Sequence, residues 1–469
     1  MFNFKFFIMK KSFIAALALL TLASCSKESA NDGPGKNGAM TTAELTVKQA
    51  TSPVSRAGNP APDNDEKKIN DLVIYIFDGD KNLEVIADFD ALEVAALKKT
   101  ISVTTGLHYF LVAANLPKVA GVTPTMPVIG DLLEDVEEKL MTIVNTSLDD
   151  ITKDAGAAHF FMTSQNDVVQ KNLVEEGSPG VTPAANKFNL SLGRAMAKVD
   201  MDLSASVSEP NGILERTGTY KIEYFVANNP KTMYFFPRYS GTQLLTPNYS
   251  STFVNGTAIA GQTDADDYFP KITTADSYTS LAALWKEKGN HTYAMENSNV
   301  SPDQGETTYV LITGQYTPDK WYKWDGAAVV EEDVTLPAAG TTFYRIGKKN
   351  ALGRTEAYFD ELCYQALTQA DVDAITSTTS TYSIVEYTNG RCFYNLWLKD
   401  AAGTTLPARY TVHRNDFFNI TINAINGPGA STPADVIPDP EDPVEVETSI
   451  EATILIMPWN VIEQGGSIG

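Results

Sequence analysis

The sequence predicts a mainly β protein: two β-sandwich domains with a few short helices and a separate strand at the C-terminus. Three observations carry that reading. Short runs that alternate or stay apolar, such as TYKIEYFVAN, TTYVLITGQY, TTFYRIG, CFYNLWLK and FFNITINAI, recur between turns and long loops, as in sandwiches and not in a parallel sheet. DLVIYIF and NLEVIADF flank Asp78-Gly79, the turn chemistry of a short hairpin. The last strand, TSIEATILIMPWN (residues 448–460), puts Ile450, Ala452, Ile454 and Ile456 on one face, and Leu455, Met457 and Trp459 make its distal half apolar on the other.

From its start the chain reads as exported. MKKSFIAALALLTLASC (residues 9–25) has two lysines, an apolar stretch and small residues before Cys25, a secretory signal too short to span a membrane. Leu22, Ala23, Ser24 and Cys25 resemble the bacterial lipobox, whose cysteine receives a diacylglycerol and becomes the new N-terminus. With 469 residues, 43% of them hydrophobic, the chain is long enough for two or three domains. A net charge of -22 argues against nucleic acid and against a polybasic membrane contact. If Cys25 carries lipid, Cys363 and Cys392 remain, either a disulfide in an oxidising compartment or two buried thiols.

AELTVKQA follows, with Ala43, Leu45 and Val47 alternating against Glu44, Thr46 and Lys48, a strand with one buried face. TSPVSRAGNPAPDNDE is rich in breakers and carries Arg56 before Ala57 and Gly58, an exposed basic site of the kind trypsin-like proteases cut. TISVTTGLHYFLVAANLP reads as two strands broken at Gly106, the second central to its sheet. DLLEDVEEKLMTIV (residues 131–144) reads as an amphipathic helix with Leu132, Leu133, Val136, Leu140 and Ile143 on one face. A second domain is expected near LSLGRAMAKVDMDL, after the Gly/Pro-rich EEGSPGVTPAAN. The run STPADVIPDPEDPVEVE, with four prolines and six acidic residues, reads as an extended, self-repelling strap. The strand beyond it either closes its own sandwich or fills a groove in another copy.

Catalytic patterns are missing. His108, His159, His291 and His413 are scattered without metal-ligand spacing, and there is no G-x-S-x-G, Walker A or dinucleotide motif, so the reading is no enzyme, no cofactor and no metal. The acidic groups Asp63, Asp65, Glu66 and Asp264, Asp266, Asp267 read as solvated loop charge ahead of calcium sites. KWYKWDG holds Trp321, Tyr322 and Trp324, either a sugar-stacking platform on a surface glycan-binding lipoprotein or a hairpin packed on a sandwich.

TGLHYFLVAAN, HFFMTSQ, LGRAMAKVDM and above all YTVHRNDFFNITINAINGPG, followed by the acidic strap and PWNVIEQ, resemble the fimbrillins of Bacteroidales, the type V pilins, with the major subunits of short fimbriae nearest in pattern. The resemblance implies two transthyretin-like sandwiches and a shaft subunit of a cell-surface fimbria that supports adhesion. It implies an outer-membrane lipoprotein precursor anchored through Cys25, and cleavage between Arg56 and Ala57 by an arginine-specific surface protease. The strand of Ala43, Leu45 and Val47 would be expelled, and Ile450, Ala452, Ile454, Ile456 and Trp459 would be the donor to another copy or to accessory pilins. Tip and anchor subunits of such pili share the same core. The implied segments are a signal over 1–24, a propeptide over 25–56, sandwiches over 57–189 and 190–430, and strap with donor strand over 431–469.

Overall fold

A computed structural model describes residues 38–49, 64–117, 122–143, 153–154, 157–165, 168–247, 268–300, 302–332, 338–400, 403–444 and 450–458. The described chain is mainly β. Its first sheet has eight strands, and in spatial order Leu83–Asp88, Leu72–Phe77, Gly106–Ala114, Met162–Ser164, Lys187–Arg194, Met40–Gln49 and Lys98–Thr104 lie side by side, with Val169–Leu173 also pairing on Gly106–Ala114. The expected hairpin forms, and its chain reversal places Lys81 in the left-handed region (φ 65°), while the Asp78 carboxylate accepts from the Asp80 and Asn82 amides. The expected break at Gly106 is real too: its φ of 114° is a conformation that only glycine adopts without strain. Beyond it, Phe110 to Ala114 are buried as a central strand requires.

The chain leaves this sheet at residues 195–196. Ala197–Ser208 belongs to a four-stranded sheet in the order Thr292–Ala294, Ala197–Ser208, Asp416–Ile425, Ile450–Pro458. A five-stranded sheet built on Tyr309–Pro318, with Glu223–Ala227 and Arg391–Trp397 beside it, shares a core with the four-stranded one. Val199, Met201, Phe418, Ile420 and Ile422 meet Tyr224, Val310, Ile312 and Tyr394 there, with all the large side chains removed from water.

One expected helix is helical only in its first part. Only Leu133–Glu137 is helical, and Leu140–Ile143 pairs instead with Val122–Pro124 and Thr232–Tyr234, Met141 opposite Met233. The apolar spacing of 3 and 4 that suggested a long helix is met by one turn whose Leu133 and Val136 are buried, and by a strand that has long-range partners.

Candidate assembly site

The first strand, Met40–Gln49, lies inside the first sheet, parallel to Lys187–Arg194 and antiparallel to Lys98–Thr104. Its alternation is as read: Ala43, Leu45 and Val47 are fully buried, and Thr41 joins them. The outward Glu44 sits opposite Lys187 on one neighbour and pairs with Lys98 of the other at 3.0 Å; the Lys98 ammonium hydrogen-bonded to it holds its carboxyl below the usual range.

Sequence reasoning missed what fastens the strand's N-terminal half. Asn186, with no exposed surface, donates from one amide nitrogen to Thr41 Oγ1 (3.1 Å), the Thr42 carbonyl (3.0 Å) and the Val174 carbonyl (2.9 Å), and accepts from the Val174 N–H (2.9 Å). Thr41 and Thr42 hydroxyls donate to the Val174 carbonyl and the Glu176 carboxylate. These partners lie more than 130 residues from the strand, so no local pattern announces them.

At the other end of the strand the Gln49 amide donates to the Lys67 carbonyl at 2.6 Å. Residues 50–63, including Arg56 and Ala57, lie outside the described residues, as does Cys25; one hydrogen bond thus joins Gln49, before that segment, to Lys67, shortly after it. Of the acidic group expected to be solvated, Glu66 is buried. Lys198 Nζ at 2.9 Å and the Tyr293 hydroxyl at 3.0 Å donate to its Oε1, and Arg194 Nε to its carbonyl, so it joins the first sheet to the second. Asp264, Asp266 and Asp267 fall outside the described residues.

The motif on which the resemblance rested has a physical task. Arg414, buried, pairs with buried Glu296 (Nε to Oε1, 2.6 Å) and donates to Thr163 Oγ1 (2.7 Å) and to the Tyr234 and Phe235 carbonyls. Asn415, at φ 64°, accepts from the Arg194 N–H and donates its own N–H to the Met196 carbonyl. Every donor of the Arg414 guanidinium is used, which is the condition under which a buried ion pair holds a specific geometry.

The terminal strand, Ile450–Pro458, lies at the edge of the four-stranded sheet, antiparallel to Asp416–Ile425 of its own chain. In register Ile456, Ile454 and Ala452 stand opposite Phe418, Ile420 and Ile422, and Ala452 and Ile454 pack against the core that those residues share. Trp459 lies outside the described residues. The first strand and the terminal strand thus occupy different sheets.

The strap departs from expectation. Instead of standing off extended, residues 431–444 are docked: Ala434, Val436, Ile437 and Val444 are buried with Phe393, Trp397 and Tyr410. The Asn350 amide donates to the Pro438 carbonyl (2.7 Å), Gln304 to the Pro443 carbonyl (3.1 Å), Arg354 to the Ile437 carbonyl, and the Thr355 N–H to the Asp435 carboxylate (2.8 Å). Prolines cannot donate, but their carbonyls accept, and the repulsion inferred from the acidic residues is offset by these donors.

The remaining expectations resolve simply. Cys363 and Cys392 are free, buried thiols in one core, not a bridge, and burial pushes them up to about 12 and about 11. Trp321 is buried against Phe343 at 6.4 Å between ring centres, so it supplies no sugar platform, while Tyr322 and Trp324 keep partial exposure. His108 and His159 are buried in structural hydrogen bonds, to the Gly106 and Leu116 carbonyls.

Together these observations describe a mainly β protein in which the first and last described strands belong to two different sheets. The family model for the major fimbrial subunit protein (FimA) matches residues 41–208, beginning at the first strand, and that for the major fimbrial subunit protein type IV, fimbrillin, C-terminal, matches residues 385–465, through the strap and terminal strand. The chain belongs to the fimbrillins and is a fimbrial structural subunit of the cell surface. Among solved structures it is similar to a fimbrilin from Porphyromonas gingivalis W83 (17% identity, TM-score 0.48, covering 92% of this chain and 99% of that one). It is also similar to a candidate cell adhesion protein from Parabacteroides distasonis ATCC 8503 (16%, 0.46, 90% and 99%) and to the C-terminally truncated tip fimbrial protein Mfa3 of P. gingivalis (12%, 0.34, 88% and 99%). No curated protein sequence matches it.

Proposed function

We propose that this fimbrillin is a shaft subunit that polymerises by strand exchange after proteolysis. It reaches the outer membrane as a lipoprotein through Cys25; an arginine-specific surface protease cuts between Arg56 and Ala57; the strand carrying Ala43, Leu45 and Val47 leaves, and Ile450 to Trp459 of another copy or an accessory pilin takes its seat. The two sheets that meet at residues 195–196 are the cores of two transthyretin-like sandwiches. The observation that supports this most is the interior position of the first strand, buried between two neighbours, with the Arg56 segment as its covalent link to the chain that follows. Its departure leaves two facing rows of unpaired backbone groups and an apolar slot, a template for another strand. Tethered, it outcompetes any incoming strand by effective concentration; cut, it competes only as a separate peptide.

The fastenings explain why cutting alone should be slow to act. Gln49 is joined to Lys67, and Asn186, Thr41 and Thr42 hold the strand from the side. The test is a cleavage time course on the purified precursor: detergent-resistant ladders should follow loss of residues before Ala57, and a synthetic 448–460 peptide should suppress them. Arg56→Ala should stay a lipidated monomer, and normal polymer from that variant would sink the reading.

A further inference from the structure

The strand Arg391–Trp397 turns alternate residues to its two sides. Cys392 and Tyr394 enter the second core, whereas Phe393 and Trp397 pack toward the docked strap. Asn395, between them in the alternation and beside Leu311 of the neighbouring strand, is the polar member of that row. Its side chain makes no hydrogen bond among the described residues. It opens instead on a cavity of about 400 Å³ walled on one side by this strand and Arg345 and on the other by the strap. That volume lies in the range of about 300 to 1,000 Å³ usual for small-ligand sites.

Several cavity groups have capacity left over. Arg345, 2% exposed, stacks on the Tyr358 ring at 3.8 Å and donates from Nη2 to Glu361, but its Nε is buried with no partner. The Trp397 indole N–H and the Asp442 carboxylate have no partner among the described residues. A buried donor without an acceptor is costly, and the Arg345 Nε persists where something else supplies its acceptor, with Asn395, Trp397 and Asp442 beside it in the cavity lining. The chemistry narrows what that is. Among the described residues no three carboxylate, thiol or imidazole groups converge as a metal would need. Carboxylates of Glu356, Asp435, Asp439 and Asp442 around the rim repel an anion, and a polar lining disfavours a hydrocarbon. A molecule that offers hydroxyl donors and acceptors together, with an apolar ring face for the aromatic wall, satisfies all of them.

We propose that this cleft binds a neutral saccharide unit, with Asp442 and Asn395 on its hydroxyls and the Phe393 and Trp397 side providing the apolar wall. The site is separate from both exchanging strands. Because one wall is the strap, the sugar bridges strap and sheet and holds the strap in its docked position.

The test uses the full chain and saturation-transfer NMR with a panel of neutral sugars: glucose, galactose, mannose, fucose, N-acetylglucosamine and N-acetylgalactosamine. At least one is expected to show transfer, with Kd raised tenfold or more in Asn395→Ala. Asp442→Ala, a change at an exposed side chain that leaves the core intact, is expected to weaken it similarly with unchanged thermal unfolding. No transfer to any member of the panel overturns the proposal. So does binding that survives both variants but is lost in Trp324→Ala, which would put the sugar on the aromatic hairpin instead.

Discussion

Replacing Asn186 by alanine asks how much of the first strand's hold is lateral. The substitution deletes four hydrogen bonds, three donated and one accepted. Two of the partners keep a bond, since Thr41 Oγ1 still donates to the Val174 carbonyl. The Val174 N–H and the Thr42 carbonyl lose theirs, and each buried group left unsatisfied costs about 1 to 3 kcal/mol. Val174 is 42% exposed, so water reaches its N–H and the lower part of the range applies there, giving roughly 2 to 4 kcal/mol in all. Because half of those bonds end on the strand itself, the loss should shrink in protein from which the strand has been removed. Urea unfolding of the intact precursor, and of cleaved protein after the strand is separated, measures both. An intact variant within about 0.5 kcal/mol of the parent would refute the argument, and so would an equal loss in both forms, which would mean that Asn186 only organises its own loop.

Three further outcomes follow from the cores. Leu45→Ala, at a position with no exposed surface, should destabilise the precursor by about 2 to 5 kcal/mol and speed loss of the strand after cleavage, read by exchange against a labelled 40–49 peptide. Cys363 and Cys392, pushed up to about 12 and about 11, are almost wholly thiol at neutral pH and buried; both should resist iodoacetamide until unfolding, then be labelled together, and a disulfide-linked peptide in mass spectrometry would contradict this. Asp416 is raised to about 8, chiefly by burial and then by the nearby Asp400 charge. Its unfolded value is about 3.9, so between those limits the folded state binds the extra proton and this group's contribution to stability falls as pH rises. Asp416→Asn should therefore gain stability relative to the parent more at pH 8 than at pH 4, and a gain independent of pH would exclude the titration.

What the sequence made legible were the elements with a local period. Ala43, Leu45 and Val47 were readable because one face of a strand repeats every two residues, and the hairpin after Asp71 and the break at Gly106 because turns need particular residues. The 131–144 segment misled because its apolar spacing suits both a helix and one turn followed by a strand, and the choice was made by Thr232–Tyr234, some ninety positions away. The strap misled for a related reason. Its prolines and acids describe a solvated chain only while Asn350, Gln304, Arg354 and Thr355 are left out, and nothing local to residues 431–444 reveals them. Asn186, Glu66 and Arg414 were missed as fastenings because a polar residue becomes one only through partners that the fold supplies; Glu66 drew notice only as one of an acidic group, and Arg414 only as part of a motif.

The docked strap bears directly on how one subunit can reach the next. The last described residue before the terminal strand, Val444, is buried, and from there to Ile450 there are six chain steps, about 20 Å at full extension. A strand donated with the strap in place must find its acceptor groove within that radius, and so short a joint is stiff. If the strap peels away first, the tether grows by more than a dozen residues and the joint becomes loose, at the cost of exposing Val436, Ile437 and Val444. Val444→Asp separates the two cases, because a carboxylate is costly to keep where the valine is 1% exposed and the strap's C-terminal part should detach while both sheet cores remain. Fibres built with docked straps should become markedly more flexible in this variant, with a shorter persistence length in electron micrographs and a wider spread of angles between successive subunits. Fibres as stiff as those of the parent would mean that the strap is already detached in the polymer, and that its docking belongs to the monomer alone.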